Sequence, residues 1–81
     1  MKFVEIDTIV HTPAQGNKDE KTERFKMFVR AQAVFGLNPV TEGPTPDVKS
    51  IIYFDSATGM RPVLSAEEVG ALRVKIERAA E

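Results

Sequence analysis

The sequence predicts an α+β fold: an antiparallel β-meander of four to five strands, open or closed into a small barrel, with one C-terminal α-helix packed on it. Three observations carry this. Residues 3–10 and 48–54 are apolar, β-branched runs of strand length. Clusters of Pro, Gly and Asp punctuate the chain between such runs. Residues 65–80 open on a helix start signal and then repeat apolar residues at helical spacing.

The first element covers residues 3–10. Val4, Ile6, Thr8 and Val10 fall on one face and Glu5 and Asp7 on the other, so one face is expected to be buried. Residues 11–23 are polar and contain Pro13 and Gly16, which reads as one long exposed loop. Residues 24–37 fit two templates. As a strand, Phe25, Met27, Val29, Ala31, Ala33 and Phe35 share the core face, with Phe28 and Val34 opposite. As a helix, Asn17 caps the start and Gly36 ends it. Strand is preferred, because a strand that follows residue 10 pairs readily with the first.

Residues 38–47 hold three of the five prolines, which excludes a helix. Residues 48–54 form the clearest strand, Asp55–Gly59 the hairpin turn, and Met60–Leu64 the return strand. Pro62 lacks an N–H, so the return strand is expected at a sheet edge or paired on one side only. Ser65 then serves as N-cap and Glu68 completes a capping box. Val69, Leu72 and Ile76 form the buried stripe, and Val74 lies off it.

Eighty-one residues make one domain, 1–81, with a small core. No cysteine is present, so neither a disulfide nor a thiolate metal site reinforces that core. Eleven basic and 12 acidic residues balance to −1, which supplies no field for drawing the chain onto nucleic acid or an anionic membrane. Acids at Glu5 and Asp7 interrupt any apolar leader, and no run approaches the roughly 18 apolar residues of a membrane span. A cytoplasmic location is expected.

Residues 28–70 resemble a known type. Val29–Val34 would form a turn, Ile51–Phe54 a strand, Gly59 and Val63 a hairpin, and Ser65-Ala66-Glu67-Glu68-Val69 a helix start. In that order they resemble small bacterial flagellar and swarming-motility regulators built as a β-meander closed by a short helix. Arg30-Ala31 stand where that type has Asn-Pro. The resemblance implies an architecture and no particular role.

Catalytic and metal chemistry find little support. His11 is the single histidine, so no His/Cys cluster can form. Ser50, Ser56 and Ser65 lack a nucleophile setting, and the glycines make no phosphate-binding spacing. Glu5 and Asp7 share a strand face, which a solvated surface explains. No enzyme, cofactor or metal is expected.

Two binding readings remain. Phe3, Ile9, Phe28 and Val34 face away from the core on the strand reading, and Val74 lies off the helix stripe. That surplus apolar surface suits a protein partner or a homodimer formed through the sheet. The alternative is weak nucleic-acid binding by the segment 18–30, with Lys21, Arg24, Lys26 and Arg30 on phosphates and Phe28 stacking on bases.

Overall fold

The structure, a computed structural model, describes residues 3–80. Its elements run β1 (Phe3–Thr12), β2 (Lys21–Arg30), a 3-10 turn (Ala31–Ala33), β3 (Val34–Pro39), β4 (Ser50–Phe54), β5 (Val63–Ser65) and α1 (Val69–Ala80). The five strands form one antiparallel sheet in the order β2-β1-β5-β4-β3. It is an α+β domain as expected. The sheet is open, with edges at β2 and β3, and does not close into a barrel.

Alternation along β1 and β2 builds the main core. Val4 and Ile6 pair with Val29 and Met27, and their shared face meets Leu72, Ile76 and Ala79 of α1. Ile52 and Phe54 of β4 complete the cluster from the other half of the sheet. Val10 belongs to this face by parity yet is exposed, because it lies beyond the reach of the helix on the projecting end of the hairpin.

Four sequence expectations need correction. Residues 11, 12 and 21–23 are strand rather than loop, since β1 and β2 pair continuously from Phe3↔Arg30 to Thr12↔Lys21. Only residues 13–20 connect them, turning at Gly16 with φ 56°. Segment 24–37 is strand, but not a single one. The 3-10 turn at Ala31–Ala33 interrupts it, and a bulge between Val34 and Gly36 shifts the register again. Those two breaks carry Val34 onto the core and Phe35 away from it.

β5 is the central strand and not an edge. It is only three residues long and begins after Pro62, so the missing N–H never enters the ladder. The helix begins at Val69, three residues later than an N-cap at Ser65 predicts. Ser65 ends β5 instead, and its hydroxyl accepts the Glu67 N–H at 3.1 Å. Glu68 is exposed and forms no capping box, while Glu67 reaches across to a strand. The hairpin turn matches the sequence: Asp55 caps it through the Ala57 N–H, and Gly59 takes φ 70°.

This junction fastens the helix to the sheet. β1 pairs with β5 only at Thr8 and Ile9, which leaves Asp7 and Glu5 with backbone groups facing a gap. Chain from Ser65 to Lys75 fills it. The Asp7 N–H donates to Glu67 Oε2 at 3.0 Å, and Asp7 C=O accepts from Ser65 Oγ at 2.7 Å and from the Ala66 N–H at 3.2 Å. Lys75 Nζ donates to Glu5 C=O at 3.0 Å and is ion-paired with Glu67. Ser50 Oγ donates to Glu67 C=O at 2.8 Å.

Thr8, Ser65 and Ser50 lie in register across three strands and are all buried. Their small side chains let residues 66–68 approach the sheet closely. Each hydroxyl has a partner, so burial does not leave an orphan polar group.

Ser65→Ala should therefore cost about 1–3 kcal/mol, since it strips a donor from Asp7 and an acceptor from Glu67. Ser56→Ala, on the exposed turn, should stay within about 0.5 kcal/mol of wild type. Urea unfolding of both variants measures the difference.

Candidate interaction site

Pairing register sorts the proposed binding residues onto surfaces. Phe3, Glu5, Asp7 and Ile9 of β1 share the helix-free face with Arg30, Phe28, Lys26 and Arg24 of β2, each opposite its partner. Leu64 and Ile51 continue that face in the same row as Ile9. Lys21 falls on the other face, opposite Thr12. So three of the four basic residues of the nucleic-acid reading come together, and Lys21 does not.

Most of those cations are already engaged. Lys26 Nζ lies 2.9 Å from Glu5 Oε1, Arg24 lies 3.9 Å from Asp7, and Lys21 lies 2.6 Å from Glu23. The Lys26 ammonium is held above the ordinary lysine range, chiefly by its hydrogen bond to Glu5 and then by that carboxylate's charge. Glu23 raises Lys21 in the same way. Arg30 alone of the four makes no ion pair among the described residues. Glu5 and Asp7, the nearby carboxylates noted in the sequence, thus each serve a cation on β2.

The five apolar candidates divide. Phe28 is 66% exposed, and Phe3 and Val74 are also open to solvent. Ile9 is not a docking residue. It is 2% exposed although it faces away from the helix, because it lies mid-sheet between Arg24 on one side and Leu64 on the other. Val34 is half-buried against the core cluster, carried there by the 3-10 turn before it.

Among the described residues the most exposed large apolar side chain is one the periodicity assigned to the core: Phe35, at 82%. It is the extra residue of the β3 bulge, between Val34↔Phe54 and Gly36↔Tyr53. A glycine inside a strand pattern signals a bulge, and Gly36 is that signal. Two shallow grooves flank the ring. One, of about 260 Å³, runs between β3 and α1 and is lined by Val34, Leu37, Arg73, Ile76 and Glu77 besides Phe35 and Gly36. The other, of about 250 Å³, touches Phe54, Asp55 and Ser56.

The two sheet edges differ in chemistry. β2 carries Lys21, Glu23, Arg24, Lys26 and Arg30. β3 reads Val-Phe-Gly-Leu-Asn-Pro and carries no charge. Charged edges resist pairing with another strand, whereas a neutral edge with free backbone groups accepts it.

The largest depression, about 510 Å³, lies in the proline-rich loop 39–49 beside Glu68. Thr45 Oγ1 is buried there without a hydrogen-bond partner. His11 is pinned by Thr22 at 2.9 Å and lies 3.7 Å from Glu20. Among the described residues no three His, Cys, Asp or Glu side chains gather as metal ligands, and no helix is long and apolar enough to cross a membrane.

Comparison with known proteins finds no family model, no curated protein and no solved structure that the chain matches.

Ile9→Ala should destabilise the fold by about 2–5 kcal/mol, while Phe28→Asp, exposed but opposite Glu5, should cost about 1 kcal/mol. Denaturant melts of the two variants decide whether Ile9 belongs to the core or to a free surface.

Proposed function

We propose that this chain is a non-enzymatic interaction or regulatory module whose contact surface is the β3 edge. One observation carries the reading: Phe35 projects from an uncharged edge strand while the opposite edge is heavily charged. A strand added at β3 gains main-chain hydrogen bonds, and the grooves beside Phe35 supply pockets for its side chains. The helix-free face, where Phe3 and Phe28 stand open, is the competing surface.

A library of extended peptides selected on the wild-type protein tests this. Peptide binding should survive Phe28→Asp and fall at least tenfold in Phe35→Lys, a loss of about 1.4 kcal/mol or more. Loss in Phe28→Asp alone would move the contact to the helix-free face.

A second reading keeps nucleic acid as the ligand. It is favoured by Phe3 and Phe28 lying on neighbouring strands of an open sheet face, with Arg30 paired opposite Phe3. Against it stand the carboxylates that already hold Arg24 and Lys26. This reading requires a short single-stranded oligonucleotide to bind at about 50 mM salt, and Phe28→Ala to weaken it by about 1–3 kcal/mol. An absence of binding removes it.

A further inference from the structure

We infer that the occupant of the β3 edge is a second copy of this chain, joined about a two-fold axis at Leu37 so that two sheets continue as one. This rests on the reading of β3 as the contact edge and adds what covers it.

The backbone supports that axis. The Val40 N–H donates to Lys49 C=O at 3.0 Å, which marks Val40 as facing β4. Antiparallel alternation then turns Asn38 towards Ile51 and leaves Leu37 and Pro39 facing outward. Pro39 has no N–H, so its outward position wastes no donor. Paired about Leu37, that residue exchanges both backbone bonds with its own copy. Phe35, in the bulge just before that axis, then stands at the seam between the copies.

The middle of the other edge disfavours the same arrangement. A symmetric β2–β2 pairing centred on Phe25 sets Arg24 against Lys26, and one centred on either cation sets it against itself. β3 imposes no such repulsion.

Charge on the helix supplies the independent argument. Arg73 and Glu77 line the groove beside Phe35 and Leu37 and are exposed. Neither makes an ion pair among the described residues. A two-fold axis at β3 reverses the direction of the second helix, so Arg73 of one copy faces Glu77 of the other, twice. A second copy of the chain presents that complement automatically.

Light scattering behind a sizing column, from about 10 μM to 1 mM, should give about 18 kDa, twice the 9.0 kDa chain. Arg73→Glu and Glu77→Arg should each raise the dissociation constant about tenfold or more, because each sets like charges across the axis. The double variant R73E/E77R restores opposite charges and should return to within about threefold of wild type. That recovery also shows that both substitutions together are tolerated by the fold.

A monomer at every concentration overturns the inference. If library peptides still bind that monomer in a Phe35-dependent way, the β3 edge stands and its occupant is another chain. A dimer broken by Phe28→Asp and indifferent to Phe35→Lys overturns the inference and the β3 reading together. A dimer that needs Phe35 but ignores both charge swaps overturns the axis at Leu37.

Discussion

The fold depends on how the gap beside β1 is closed. β1 is ten residues long, yet it shares only Thr8 and Ile9 with the central strand β5. Its buried end would otherwise present backbone groups to nothing, at a cost of about 1–3 kcal/mol for each group left unsatisfied. The chain leaving β5 answers them at once. Ser65, Ala66, Glu67 and Lys75 all bind the Glu5–Asp7 backbone, and Ser50 ties the same segment to β4. That clasp fixes where α1 begins, so it also fixes which residues Leu72 and Ile76 meet. Helix position follows from polar satisfaction first and from apolar packing second.

This explains which parts of the structure were legible in the sequence. Hairpin turn 55–59 was legible because Asp55 and Gly59 do their work within five residues. β1 and β4 were legible because alternation is a local pattern. Ser65 was misread because a capping signal says that a hydroxyl and a carboxylate will be near a helix start, without saying what they will bind. Here the hydroxyl donates to Asp7 and the carboxylate that matters is Glu67, reaching a strand nearly 60 positions earlier in the chain. Pro62 was misread in a related way. Its missing N–H excludes it from a ladder, but a three-residue strand can start just after it and still be central.

The exposed apolar surface was the least legible feature, and the cause is phase. A strand pattern predicts faces only while the strand is unbroken, since one extra residue moves every later side chain to the opposite face. Segment 24–37 contains two such breaks, the 3-10 turn and the bulge. Before the breaks, Phe28 and Val29 lie where alternation puts them, one open and one buried. After them, Val34 and Phe35 have exchanged roles. Ile9 failed for another reason: its face is correct, but a mid-sheet position between large neighbours buries it without a covering layer.

The unequal edges bear most on function. An open sheet of this size has two strands with unpaired backbone, and both need protection if the chain is to stay alone. β2 has it, since Lys21, Arg24 and Lys26 are spaced along the strand and held by Glu23, Asp7 and Glu5, so that an incoming strand would meet charges already fixed in place. β3 has no charged residue at all; its only safeguards are a bulge and Pro39. The bulge, however, pushes Phe35 outward, which adds apolar surface to the edge it might have shielded. Five charged residues therefore lie on one edge and none on the other. The edge left neutral is the one whose backbone is open to a partner strand.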